Sequence, residues 1–327
     1  MGKYLIRRLI NYVVLVFIAT SLAYLLAATS LNPRSHFLGR NPAVPISTQD
    51  DILSRYNIND KTPVLERYGH WLNGIVHGDL GRDYDGGYVG ANLSRRMWVS
   101  GQLLILGTLL GGLVGVATGA WAAVRHKKAA DYSLTQGAFF LLSCPTFVIA
   151  ILLQVGATRL NDAVGHRLIS FSGQYDPAKP GGFFSNIGDR LDHLILPTIT
   201  LMLVGASYLM LYQRAAMLDV LGSDYVRTAR AKGLRRRTAL VKHALRTALI
   251  PSMTIFTYSF ATIFVGAIFT EKIFGWHGMG EWFVDTILGS DTNAVAAITA
   301  VTGVLILFAS FLQDIVVAML DPRVRVN

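Results

Sequence analysis

At 327 residues, 52% hydrophobic and only 15% charged, with a mean hydropathy of +0.42, the chain has the composition of a membrane protein and excludes an ordinary soluble domain. Its formal net charge of +10 would suit nucleic acid in a soluble protein, but in a membrane protein it first reports topology. The single cysteine, Cys144, excludes a disulfide framework and a cysteine-based metal site, and no pair of histidines has the spacing of a zinc helix.

Crossing a bilayer core about 30 Å thick takes a helix of roughly 20 apolar residues. Six stretches meet that length: Leu9–Thr29, Gln102–Val124, Tyr132–Ala157, Leu194–Tyr212, Leu249–Thr270 and Ala294–Gln313, so an all-α integral membrane protein with six transmembrane helices is expected. Lys3, Arg7 and Arg8 precede the first stretch as they would in a signal peptide. Its apolar run is longer than the roughly 7–15 residues of a signal, which favours an uncleaved anchor. With both termini cytoplasmic, the inner segments hold 17 Lys and Arg against 5 Asp and Glu, and the outer ones 13 against 15. That asymmetry obeys the positive-inside rule; Arg95 and Arg96, just outside the second span, run against it in a loop long enough to weaken it. The expected organisation is residues 1–31 as cytoplasmic tip and first helix, 32–98 as a sizeable extracellular or periplasmic loop, 99–321 as a five-helix core with a cytoplasmic loop at 213–248, and 322–327 as a cytoplasmic tail.

The first external loop carries NPAVP at Asn41–Pro45 and GDLGRDYDGG at Gly78–Gly87, turn-rich and too polar for lipid, and is expected to form a small, partly ordered cap. A second external stretch contains PAKPGG at Pro177–Gly182. The last, EKIFGWHGMGEW from Glu271 to Trp282, crowds aromatic side chains and glycines into a short segment. Two readings stand for it: an aromatic belt at headgroup level, or an extracellular gate or docking element carried by Glu271, Phe274, Trp276, Gly278 and Gly280.

The first five spans hold no Asp, Glu, Lys, Arg or His between their ends. Ion-coupled carriers and intramembrane enzymes need such groups at depth, which weighs against both. GGLVGVATGA at Gly111–Ala120 offers small faces for close helix packing. No G-x-x-x-x-G-K-[ST] phosphate loop occurs; Ala231-Lys232-Gly233 lacks its first glycine and its hydroxyl. Either the protein is passive, or another polypeptide hydrolyses the nucleotide.

Between two apolar runs lies DYVRTARAKGLRRRTALVKHALRTALIP, Asp224 to Pro251, with six Arg and two Lys. Topology accounts for most of that charge, and anionic lipid for a further part. Nucleic acid does not fit, because base-stacking aromatics are lacking beyond Tyr225. The shape says more: the small residues Thr228 and Ala229, then Gly233, make a smooth knob ended by a glycine able to stop the helix, and Leu240, Ala244, Leu245 and Ala248 continue an apolar stripe toward Pro251.

This segment closely resembles the cytoplasmic loop signature of permease subunits of binding-protein-dependent ABC importers, and more narrowly of the dipeptide/oligopeptide group, B-type subunit. Tyr4–Leu9, GDLGR at Gly78–Arg82, HLILPTITL at His193–Leu201, E-x-x-F-G-W-x-G-x-G at Glu271–Gly280 and LDPRVR at Leu320–Arg325 carry the resemblance over nearly the whole chain. The general signature begins E-A-A; here Thr228, Ala229 and Gly233 match its alanines and glycine, while Arg227 stands at the Glu position, which puts in doubt any role that needs a carboxylate there.

The resemblance implies a type I ABC importer permease fold in the cell membrane. It implies a coupling loop, Asp224, Tyr225, Arg227, Thr228, Ala229, Ala231, Lys232, Gly233 and Leu234, that docks on an ATPase. It implies partners: a second homologous permease, two ATPase subunits or one fused ATPase, an extracytoplasmic peptide-binding protein and membrane lipid, with ATP and Mg bound by the ATPases and no cofactor or metal on this chain. The expected role is oligopeptide import without catalysis on this chain. Dipeptides, glutathione and nickel chelates remain alternatives within the family, and a passive channel or secondary carrier outside it. Helical spacing in the fifth span offers Thr254, Tyr258 and Thr262 as residues of the translocation path.

Overall fold

Helices dominate because backbone polar groups inside lipid must be satisfied within their own segment. The structure, a computed structural model, describes residues 2–39, 41–178 and 183–320, with side chains undescribed at 3–5, 183–186, 230, 236–237, 242–243, 257–266, 313–314 and 316–320. Among the described residues five helices are long and apolar enough to cross a membrane: Ile6–Ser30, Val89–Val124, Thr146–Val164, Ile187–Leu221 and Thr292–Leu312. Two compact units are present, one of residues 1–100 and 277–308, the other of residues 101–276 and 309–327.

In the first unit, α1 (Gly2–Ser30) is followed by a 3-10 turn (Pro33–Phe37), α2 (Ile46–Arg55) and α3 (Val64–Val76). The loop after α1, expected to be external, is therefore more ordered than its turn-rich sequence suggests. Prolines 45 and 63 stand immediately before α2 and α3, where fixed φ and a missing N–H cost nothing. Tyr24, Ala28, Trp71 and Ala296 form its core, with the Tyr24 and Trp71 rings 4.5 Å apart. Arg34 clamps the loop from outside, pairing with Asp50 at 2.5 Å and Asp60 at 2.7 Å, and its guanidinium holds the Asp60 carboxyl below the usual range.

The second unit holds α5 (Ala129–Ser143), α6 (Thr146–Val164), α7 (Phe183–Leu221) and the residues of α4 (Val89–Val124) from 101 onward. The expected third span, Tyr132–Ala157, is corrected here. The chain breaks at Cys144, whose extended backbone (ψ 128°) is the conformation that a following proline, Pro145, imposes, and α6 begins at Thr146. The fourth span also outruns its sequence estimate: α7 has 39 residues, about 58 Å at roughly 1.5 Å per residue, against about 30 Å of hydrocarbon.

After α7 come α8 (Asp224–Ala231), α9 (Arg236–Ala239), a π-helical stretch at Leu240–Leu245, α10 (Arg246–Gly266) and α11 (Ile268–Phe274). The expected fifth span falls on α10, with its end in α11. Two more helices, α12 (Met279–Leu288) and α13 (Thr292–Leu320), complete the chain. The tail 322–327, most of LDPRVR, Lys179–Gly182 of PAKPGG and the Asp314 side chain lie outside the described residues.

Candidate functional site

Two faces distinguish α8. Val226 (4% exposed) and Ala229 (8%) sit one turn apart and turn inward, and Val226 joins Ala123, Met217, Ala244 and Ala248 in one buried cluster. Leu240 and Leu245 pack against that cluster, so the apolar stripe expected from sequence does form, and it anchors the segment to the ends of α4 and α7. Asp224, Tyr225, Arg227, Thr228, Ala231 and Lys232 are exposed on the other side. Ala229 is thereby corrected as a surface knob: it is spent on packing within the chain. Thr228 stays outside, its hydroxyl donating back to the Asp224 carbonyl at 2.8 Å.

Gly233 stops the helix by a defined mechanism. Its φ of +86° lies in the left-handed region, and the N–H of Leu234 reaches back to the Ala229 carbonyl at 3.3 Å, the closing bond of a Schellman turn. A Cβ at Gly233 would meet nothing within 4 Å, so its backbone angle, not space, demands glycine.

Beside α8 a buried ion cluster ties the start of α5 to the last turns of α7. Arg214 donates to Asp131 through Nε (2.5 Å) and Nη2 (2.9 Å), and the same carboxylate accepts the Lys127 N–H at 3.0 Å and contacts His126 Nδ1 at 3.1 Å. Asp131 is 1% exposed, and the Arg214 guanidinium holds its carboxyl well below the usual range. Neither residue stands out in sequence, because the apolar run of α7 ends at Tyr212, two residues short of Arg214. α7 carries Asp189, buried near its N-terminal end, and Arg214 some 37 Å further along at about 1.5 Å per residue, a spacing longer than a core of about 30 Å.

The proposed external gate residues divide between the two units. In the second, Glu271, Phe274 and Trp276 are at most 1% exposed. Trp276 donates its N–H to the Glu271 carbonyl at 2.8 Å around Gly275, whose φ is +60°, a second Schellman turn. Gln154 donates to the Ile273 carbonyl at 3.0 Å and Gln174 to that of Trp276 at 2.6 Å. Phe274 and Trp276 are thus enclosed by protein and do not form a headgroup belt. In the first unit, Gly278 and Gly280 are buried at the start of α12, where the Met279 N–H donates to Ser100 Oγ at 2.7 Å. Arg96, anomalous by the charge rule, is used here: its Nη1 donates to the carbonyls of His277 (3.3 Å) and Gly278 (3.4 Å), and its guanidinium lies 5.4 Å from the Trp282 ring.

The GDLGR motif also acquires a purpose within the first unit. Gly81 has a φ of +85°, and a Cβ there would lie 3.1 Å from Asn293 Nδ2, which donates to the carbonyls of Tyr56 (2.8 Å) and Arg82 (2.9 Å). Neighbouring Asp291 accepts from the Ala294 N–H (3.0 Å) and the Tyr84 N–H (3.3 Å), capping α13 and holding the loop to it. Burial pushes the Asp291 carboxyl up to about 6.

Of the path candidates, Thr254 is half-buried with its hydroxyl donating to the Ile250 carbonyl at 3.1 Å. The side chains of Tyr258 and Thr262 lie outside the described residues. No group of three or more metal-ligating side chains occurs among the described residues.

Residues 115–326 match the model of the binding-protein-dependent transport system inner membrane component. The oligopeptide transport system permease protein OppB of Mycobacterium tuberculosis (strain ATCC 25618 / H37Rv) is 48% identical over the full length of both chains. AppB of Bacillus subtilis, an oligopeptide transport system permease protein, is 31% identical over 99% of this chain and all of its own. OppB of Escherichia coli (strain K12) is 29% identical over the same shares.

Proposed function

The chain belongs to the inner membrane components of binding-protein-dependent transport systems, and from that premise we propose that it is the membrane permease of an ATP-driven oligopeptide importer. It is a non-catalytic subunit. Its six spans, counting α10, follow the type I importer fold with both termini cytoplasmic, and a second permease of the same fold completes the pathway. Oligopeptide is the reading favoured by relatives that match from end to end at up to 48% identity and are described as oligopeptide permeases.

The observation that carries the coupling role is the two-faced burial of α8. Its inner face is fixed into the bundle by Val226 and Ala229, while Tyr225, Thr228 and Lys232 face outward, available to a cytoplasmic ATPase. Force applied to such a helix reaches α4, α7 and α10 through the shared cluster of Met217, Ala123, Ala244 and Ala248. ATP and Mg are held by the ATPase partners, separate or fused, and closure of those subunits selects between two bundle packings that differ by a few kcal/mol. On this reading α2 and α3, in the loop after α1, face the extracytoplasmic binding protein.

The test is reconstitution with the neighbouring ATPase, permease and binding-protein subunits. Gly233→Val, which cannot hold the left-handed angle without strain, is expected to abolish ATP-driven uptake of labelled oligopeptide while the chain remains in the membrane. Uptake at wild-type rate by that variant would sink the coupling assignment. Competition by dipeptides, glutathione or nickel chelates in place of longer peptides would sink the substrate assignment alone.

A further inference from the structure

Arg67 of α3 is 3% exposed, and among the described residues no carboxylate pairs with it. Its Nη2 donates to the Ala28 carbonyl of α1 at 3.3 Å, but its Nε, itself enclosed, meets no acceptor. A guanidinium carries five N–H donors and does not shed its charge on burial, so one long bond to a neutral carbonyl leaves most of its desolvation cost unmet. Glu66, the acid beside it in sequence, is exposed to solvent.

Two further donors share the seam. Arg67 and Trp71 stand one turn apart on α3, and Tyr24 and Ala28 one turn apart on α1; Trp71 meets Tyr24, ring centres 4.5 Å apart, as Arg67 meets Ala28. Trp71 (4% exposed) and Tyr24 (0%) are enclosed as well, yet neither the indole N–H nor the phenol hydroxyl has a partner. Loose packing does not explain them: in the same contact the Tyr68 hydroxyl meets Ser21 Oγ at 2.7 Å, and the Asn57 side chain donates to the Arg67 carbonyl at 2.8 Å. Three orphaned donors around one helix contact, one of them cationic, call for an acceptor that carries negative charge.

We propose that this seam between α1 and α3 binds a small monovalent anion of the class of chloride, held by Arg67 Nε with the Trp71 N–H and the Tyr24 hydroxyl as further donors. Charge fixes the valence, because one guanidinium balances one negative charge. Burial fixes the size: with these three side chains at most 4% exposed within this chain alone, a bare ion reaches them where a carboxylate side chain of a neighbouring subunit cannot without unseating α3. Bound there, the ion ties α3 to α1 and sets how firmly the loop after α1 is held. The site goes beyond the transport reading and takes nothing from it.

The full chain in mild detergent is melted in sodium gluconate, with chloride replacing gluconate at constant ionic strength. A ligand of the folded state stabilises it by RT ln(1 + [L]/Kd), so the wild-type melting temperature is expected to rise saturably with chloride. Trp71→Phe and Tyr24→Phe, which keep an aromatic ring and remove one donor each, should raise the half-saturating chloride concentration several-fold. Arg67→Gln should abolish the response, and Arg55→Gln, at an exposed position on α2, should keep it. A wild type indifferent to chloride overturns the site. So does an unchanged response in the two phenylalanine variants, which decides the matter even where Arg67→Gln does not fold. A rise equal in wild type and Arg67→Gln marks a general salt effect and also overturns it. Stabilisation by a partner permease but not by chloride, lost in Arg67→Gln, assigns the guanidinium to a partner's carboxylate and overturns the ion. The site is read by melting and transport by uptake, so the two stand or fall separately.

Discussion

Gly119 of α4 approaches α7 so closely that a Cβ there would lie 2.5 Å from the carbonyl oxygen of Met210. Gly107 and Gly115 repeat the approach, with imagined Cβ atoms 2.8 Å from Leu201 Cβ and from the Ala206 carbonyl, and Gly111 stands 3.3 Å from the Met202 carbonyl. Of these four glycines at a four-residue interval, Gly111, Gly115 and Gly119 let the two backbones touch, and Gly107 makes room for the Leu201 side chain, as small residues do where helices pack in lipid. Gly119→Ala is expected to cost about 1–3 kcal/mol by overpacking. Gly137→Ala in α5, where a Cβ meets nothing within 4 Å, should be neutral or raise stability by up to about 1 kcal/mol. Thermal unfolding in detergent measures both, and equal effects would contradict the packing described.

The Asp131–Arg214 pair should matter more than an exposed ion pair, worth about 1 kcal/mol or less, because Asp131 is almost wholly enclosed. Arg214→Ala leaves a buried carboxylate with His126, the Thr135 hydroxyl and one backbone N–H but no guanidinium, and is expected to lower the melting temperature. Asp131→Asn with Arg214→Gln should recover part of the loss, since no unpaired charge remains. A double variant as unstable as the sum of the single ones would show that the pair is not the unit.

At Gly233 the demand is conformational. An L-residue in the left-handed region costs roughly 1–2 kcal/mol, and Asn tolerates it best. Oligopeptide uptake is therefore expected to fall in the order glycine, asparagine, alanine, valine, at constant protein level in the membrane. An order that followed side-chain volume alone would point to steric conflict with a partner instead.

The buried carboxyl of Asp291 gives the first unit a pH dependence of known sign. Its folded-state value, about 6, lies above the ordinary 3.8, so the fold favours the protonated form. That contribution is fully present below pH 3.8 and is lost as pH rises through about 6. Asp291→Asn should flatten the slope of melting temperature against pH across that window. An unchanged slope would show that another group sets it.

How much of this was readable beforehand differs residue by residue. Gly233 announced its turn because only glycine is at ease there, and Leu240, Ala244, Leu245 and Ala248 announced their stripe by spacing alone. The break at Cys144–Pro145 carried a local signal, proline in an apolar run, which hydropathy averaging hides. Ala229 was misplaced because its small size suits a docking knob and a packed interior equally, and only the position of Val226 one turn earlier decides between them. Arg96 could not have been read at all: its acceptors lie 181 and 182 positions along the chain.

The glycine contact between α4 and α7 has a mechanical consequence. Side chains in rotamer wells give a packed interface some play, whereas backbone resting on backbone has none to give. The two longest apolar helices of the second unit therefore behave as a single strut, and any change in the shape of that unit must be taken up at its joints. Cys144–Pro145 and the π-wound turn at Leu240–Leu245 are two such joints, and the second joins α8 and α9 to α10.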